Sequence, residues 1–166
     1  MADGKIAAAA YMSAMSRAFV NEDTYVDALP DRPLSGHPNL VTEQGLALIE
    51  QVMEAARREY AEAQGSGDRD ALAKAGRDLR YWSARRATAE LRSPEPGADS
   101  VQFGHTVTIV REDGRQQTFR IVGEDEADPA KGSISYVSPL ARALLGKGVG
   151  EIVRAGKEDA EITAIA

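Results

Sequence analysis

At Ser93-Pro94-Glu95-Pro96-Gly97 the hydrophobic repeat of this chain changes, and the change dictates a two-part fold. Before it, Leu46, Ile49, Met53, Ala56, Tyr60 and Ala63 recur three or four residues apart, and so do Leu72, Ala75, Leu79 and Trp82, with Ala89 beyond them. That spacing puts each set on one face of a helix. After it, Thr106-Val107-Thr108-Ile109-Val110 and Thr118-Phe119-Arg120-Ile121-Val122 alternate with a period of two, the pattern of half-buried strands. Helices first and strands afterwards make an α+β chain.

Thr42 opens the first helix as N-cap, with Glu43 favourably placed near the positive end of the helix dipole. Gln64-Gly65-Ser66-Gly67-Asp68 breaks the pattern with turn residues, and a second helix follows to near Arg92, where the prolines stop it. The two form an antiparallel helical hairpin. Glu50, Glu54, Glu59 and Glu62 on the first helix complement Arg77, Arg80, Arg85 and Arg86 on the second. Exposed pairs contribute only ~0.2–1 kcal/mol each, so the apolar seam must supply most of the cohesion. Gly76 costs the second helix roughly 1 kcal/mol relative to alanine, which close helix approach would explain.

In the second part, Asp113-Gly114 signals a tight hairpin, Ser133-Ile134-Ser135-Tyr136-Val137 a third strand, and residues 150–153 and 161–165 a last hairpin around Gly156-Lys157. Between them, Ser138 is a suitable N-cap and Pro139 fits the first helical position, where its missing N–H is harmless. Leu140, Ala143, Leu144 and Leu145 give that short helix its buried face, and Gly146 suits the left-handed position that ends it. Arg142 is left as an exposed cation. The expectation is a small antiparallel sheet with one helix laid on it.

Composition narrows the chemistry. No cysteine is present, so disulfides and thiolate metal sites are excluded. His37 and His105 lie far apart, without the spacing of a zinc site. No run of about 18 apolar residues could span a membrane. The net charge of −6 argues against a main affinity for nucleic acid phosphates. Glu124, Asp125, Glu126 and Asp128 are bunched, unlike the spread ligands of a calcium loop. Gly146, Gly148 and Gly150 lack the strand-loop-helix order of a phosphate loop. No nucleophile–base pair is apparent. Asp68 and Asp70, at the hairpin tip, are the carboxylates best placed to meet a magnesium ion in another protein's active site, although aspartate is also ordinary turn chemistry. At the N-terminus, Met15 is expected to be the natural start. Residues 21–39, with Pro30, Pro33 and Pro38, read as an extended tether.

Phe103-Gly104, the run Phe119-Arg120-Ile121-Val122-Gly123-Glu124-Asp125-Glu126-Ala127-Asp128, Ile134-Ser135, and Ser138-Pro139-Leu140-Ala141-Arg142-Ala143-Leu144-Leu145-Gly146 with Val149-Gly150 resemble the C-terminal domain of the bacterial GreA/GreB transcript-cleavage and elongation factors. Residues 1–40, an N-terminal extension or tether expected to be partly disordered, lie outside the resemblance. The resemblance implies a coiled-coil hairpin over 41–93, a linker over 94–100 and an FKBP-like domain over 101–166. In such proteins the C-terminal domain docks on RNA polymerase and the hairpin enters its secondary channel. Acidic residues at the tip there help hold a second magnesium for the polymerase's own RNA cleavage, a two-metal logic.

Carried over by position, Asp125, Ser138, Pro139 and Arg142 become the partner-binding residues. The position before Ser138, usually a polar Asp or Asn in the family, is Val137. At the tip Gly67-Asp68 matches, but Ala71 stands at the family's glutamate position, and Asp70 is a substitute one residue early. Each arm also reads about two turns short, which at 1.5 Å per residue withdraws the tip by roughly 10 Å. The expectation is a cytoplasmic, monomeric elongation regulator without strong cleavage stimulation. It would not itself be an enzyme and would carry no cofactor beyond a magnesium shared with the polymerase. No sequence-specific nucleic-acid binding or membrane association is expected. The rival readings are a cleavage factor using Asp68 and Asp70, a peptide-binding FKBP-like module, and an adaptor for another protein.

Overall fold

The structure, a computed structural model, describes residues 29–166. The start at Met15 and the first part of the tether lie outside the described residues. Helix α1 (Glu43–Ser66) begins at Thr42, whose hydroxyl accepts from the Gly45 N–H at 3.0 Å. It runs on through Gln64 and Gly65, where the sequence predicts a break. Gly67 ends it in the left-handed conformation, φ 71°, and Asp68 at once caps α2 (Arg69–Ala87). A left-handed glycine followed directly by a capping aspartate reverses the chain without the longer loop.

The helices are antiparallel: Arg86 near the end of α2 meets Glu50 near the start of α1 at 2.7 Å. Ile49, Ala56 and Ala63 are buried in the seam with Ala75 and Gly76. Gly76 has the expected reason, since a Cβ there would stand 3.3 Å from the Tyr60 ring. The predicted charge ladder forms only in part. Arg85 turns to Asp125, Arg80 to Asp31 and Arg77 to Asp78, while Glu54 pairs within its own helix with Arg57.

Helix α2 stops at Ala87 rather than near Arg92 because the next residues are drawn into a different pairing. The N–H groups of Glu90 and Arg92 donate to Asn39 and Val41 carbonyls at 2.8 and 2.9 Å. This makes a parallel pair of β1 (Leu40–Val41) and β2 (Glu90–Leu91) at the base of the hairpin.

The second part contains β3 (Thr106–Arg111), β4 (Gln116–Val122), β5 (Ser133–Ser135), α3 (Pro139–Leu144), β6 (Ile152–Ala155) and β7 (Glu158–Ile165). The sheet order is β5-β4-β3-β7-β6. One expectation is corrected here: the sheet is mixed, because β5 runs parallel to β4. After β4 the chain makes a short 3-10 turn, Pro129–Lys131, and reverses at Gly132 (φ 85°), which places Ser133 beside Arg120. Strand β5 is also shorter than predicted, since Tyr136 and Val137 form the turn into α3. The Asp113-Gly114 turn widens into a loop over residues 112–115, closed by Arg111 N–H donating to the Arg115 carbonyl at 3.0 Å. Val107, Ile109, Ile121 and Ile162 from the sheet and Ala141 and Leu144 from α3 are fully buried together.

Where the two parts meet, β1 crosses the end of β4. A Cβ on Gly123 would collide with the Leu40 carbonyl oxygen, and the backbone of β1 cannot yield as a flexible side chain would. Gly123→Ala is therefore expected to lower stability by about 1–3 kcal/mol, the range for overpacking a close contact, with the loss read in urea unfolding.

Candidate functional site

Two candidate places emerged from the sequence: the tip of the hairpin and the run from the acidic loop into α3. At the tip, Asp68 Oδ1 accepts from the N–H groups of Asp70 and Ala71, both at 3.0 Å. One carboxylate oxygen is thus engaged in capping α2, and Asp70 stands exposed in the first turn of the same helix. Both carboxylates reach solvent. Among the described residues no group of three or more His, Asp or Glu side chains is arranged to hold a metal.

The corner before α3 is built by local bonds. Ser138 N–H donates to the Ser135 carbonyl at 2.9 Å, and Ser138 Oγ accepts from Ala141 N–H at 3.2 Å. Pro139 takes the first helical position, and Ala141 and Leu144 anchor the helix in the core. With one face so fixed, Pro139 and Arg142 are exposed on the other. No described residue bonds or pairs with the Arg142 guanidinium. Val137 is half-buried in the turn, its N–H donating to Ser135 Oγ at 3.3 Å.

The acidic loop faces inward. Asp125 accepts from the Tyr81 hydroxyl at 2.9 Å and from Arg85 Nε at 2.5 Å, with side-chain exposure of only 10% for Asp125 and 4% for Arg85. Glu126 accepts from the Thr42 hydroxyl at 2.6 Å and sits over Gly45, where a Cβ would strike its carboxylate. Glu124 Oε2 is sealed from solvent and has no hydrogen-bond partner among the described residues. Asp128 pairs with Lys131 at 3.1 Å. Asp125, Glu126 and Asp128 diverge to separate partners instead of converging on an ion. Asp125, expected as a partner-binding residue, has both its oxygens taken within the chain, by Tyr81 and Arg85 of the hairpin.

Tyr81 and Tyr136 complete the joint. Burial and then the hydrogen bond to Asp125 push the Tyr81 hydroxyl above the ordinary tyrosine range. Tyr136 is raised by burial and then by Glu124, against smaller opposing effects of Arg85 and Arg142. Its hydroxyl donates to the Pro38 carbonyl at 2.5 Å and its ring meets Phe103 edge-on at 5.8 Å.

Arg85 and Tyr81 were missed as site residues, yet a signal was present. The apolar stripe of α2 runs Leu72, Ala75, Leu79, Trp82, and three or four residues further on stand two arginines, Arg85 and Arg86, of which only Arg85 is buried. A charge at a stripe position demands a buried partner. Arg85 was paired with the glutamates of α1 because those acids lie on the facing helix of the hairpin.

Residues 95–166 match the family described as "Transcription elongation factor, GreA/GreB, C-term". The transcription elongation factor GreB of Neisseria meningitidis serogroup B (strain ATCC BAA-335 / MC58) is 37% identical over 119 residues, covering 62% of this chain and 73% of that protein. The transcription elongation factor GreA of Chelativorans sp. (strain BNC1) is 54% identical over 56 residues, 33% of this chain and 36% of that one. Among solved structures, GreA factor homolog 1 (Gfh1) of Thermus thermophilus aligns over 78% of this chain and 99% of its own, at 20% identity and a TM-score of 0.39.

Two outcomes follow from the joint. Asp125→Ala leaves Arg85 buried and unpaired and is expected to destabilise by about 3–5 kcal/mol in chemical unfolding, with Asp125→Asn milder because its amide oxygen still accepts. The raised Tyr81 value stabilises the fold fully below the unfolded tyrosine value of 10.0, and this contribution is lost as pH rises through the folded value. Wild type should therefore lose stability more steeply than Tyr81→Phe when unfolding is followed from neutral pH into that alkaline window.

Proposed function

Because the chain belongs to the GreA/GreB family of transcription elongation factors, we propose that it binds RNA polymerase through Ser138, Pro139 and Arg142 and inserts its helical hairpin into the secondary channel. The observation that carries this reading is the Ser138-Pro139 corner. It presents an arginine without a bonded partner among the described residues, on a helix whose opposite face is locked into the core. A cation held on a rigid element loses little freedom on docking and suits an acidic or carbonyl-rich partner surface. Asp125 takes part by holding the hairpin against this domain, so that docking of the corner aims the tip. The mixed sheet with one helix is in keeping with an FKBP-like domain, and the antiparallel helices with a short coiled coil.

The reading further holds that the chain modulates elongation without strong stimulation of transcript cleavage. Support comes from the tip: Ala71 offers no carboxylate, and Asp68 directs one oxygen into the N-cap of α2. What remains for a shared magnesium is Asp70 and the second oxygen of Asp68. Metal-assisted cleavage would be the polymerase's chemistry, with no catalytic group supplied by this chain and no resident cofactor. The chain would act as a monomer in the cytoplasm, where the polymerase works. Among the described residues no helix is long and apolar enough to cross a membrane.

A stalled, backtracked elongation complex distinguishes the readings. Binding without rapid RNA shortening is expected, with Arg142→Glu weakening binding at least about tenfold, or about 1.4 kcal/mol. Rapid shortening that disappears in the Asp68→Ala/Asp70→Ala double variant would instead identify a cleavage factor. No binding at any concentration would defeat both.

A further inference from the structure

Residues 29–39 contain no helix or strand, yet they lie along α2 and touch it repeatedly. The inner end is anchored in the joint. Asn39, only 5% exposed, donates to the Arg85 carbonyl at 2.7 Å and to Thr88 Oγ1 at 3.2 Å, beside the Pro38 carbonyl that receives the Tyr136 hydroxyl. Towards the outer end, Arg32 lies 3.5 Å from Asp78, with its guanidinium 3.7 Å from the centre of the Tyr81 ring and 5.6 Å from that of Trp82. Asp31 meets Arg80 at 2.6 Å, and the Leu29 carbonyl accepts from the same arginine at 3.3 Å. Asp78, Tyr81, Trp82 and Arg85 are three or four residues apart, so one face of α2 carries most of these contacts.

Tyr81 is the link. Its ring lies beneath Arg32, its hydroxyl is held by Asp125, and its edge packs on Trp82 at 5.0 Å. We propose that residues 29–39 form a strap that sets the direction of the hairpin relative to the C-terminal domain, acting through Tyr81 on the Asp125–Arg85 joint. The inner end is a permanent anchor, because Asn39 is buried and doubly bonded. The outer end is a latch of half-exposed ionic and cation–aromatic contacts, each individually weak and sensitive to salt. A latched strap keeps the Tyr81 ring fixed. An open one frees it to turn about its hydrogen bond and lets the hairpin swing. The strap is a property of the isolated chain. Only its consequence for entry into the polymerase rests on the reading above, so either can fail without the other.

The composition supplies clean probes: Trp82 is the single tryptophan and there is no cysteine. Acrylamide quenching of Trp82 in the full chain reports the outer end directly. Arg32→Ala is expected to raise the quenching constant about twofold, Arg32→Lys to restore part of the difference, and added salt to move wild type towards Arg32→Ala. Spin labels at Ser66→Cys and Lys157→Cys then report hairpin direction by pulsed dipolar spectroscopy. A narrow distance distribution should broaden when Arg32→Ala is introduced. Unchanged quenching would overturn the strap, and increased quenching with an unchanged distance distribution would overturn its positioning role. Both measurements are made without polymerase.

Discussion

A carboxylate taken out of water must find a cation or a set of donors, and in this chain Asp125 finds both in Arg85 and Tyr81. Much else depends on that pairing. It ties the loop after β4 to the second helix of the hairpin, across about forty positions of sequence. The neighbouring glutamate repeats the arrangement on the first helix. There the Thr42 hydroxyl donates to Glu126 while accepting from the Gly45 N–H, so one side chain both caps α1 and fastens it to the sheet domain. Both helices are thus gripped at the same end by consecutive acidic residues. Glycine at positions 45 and 123 is what lets the surfaces approach closely enough for these bonds to form.

This arrangement divides the work of a run that reads continuously in sequence. Residues 123–126 turn towards the hairpin and hold it. The turn at Tyr136 and Val137 then redirects the chain, and α3 turns its exposed side towards solvent. The outcome is that the domain presenting the exposed side of α3 also holds the base of the hairpin. The acidic excess of the C-terminal part does not blur the corner, because Asp125, Glu126 and Asp128 are neutralised or bonded locally. Arg142 therefore faces outward without a competing partner among the described residues.

Much of this was legible beforehand. The period change located the two parts, Thr42 and Ser138 announced their helices, and Gly76 its close contact, because caps, periods and steric demands are local and leave local marks. Arg85 shows where local reading ends. The apolar spacing of α2 leads to Arg85 and Arg86 alike, and no pattern says which is buried or names the acid it meets. Glu50 and Glu54 of the facing helix α1 find other partners, and Asp125 lies forty positions away. The β1–β2 pair escaped notice for a related reason: strands of two residues carry no period. The parallel pairing of β5 was hidden because a strand's composition does not reveal the direction of its neighbour.

By itself, the sequence determined the two helices of the hairpin and the main strands of the second part, where the short helix α3 begins, and that Arg142 would lie on its exposed side. It also carried the family likeness, since that likeness is written in residue identity and spacing. Only the tertiary structure decided that Asp125 belongs to the joint, that the hairpin charges scatter to different partners, and that residues 29–39 lie along α2. Each of these depends on which groups become neighbours once the two parts meet. A charge or a proline-rich segment has many possible partners in an extended chain, and burial leaves it only those that the fold brings within reach.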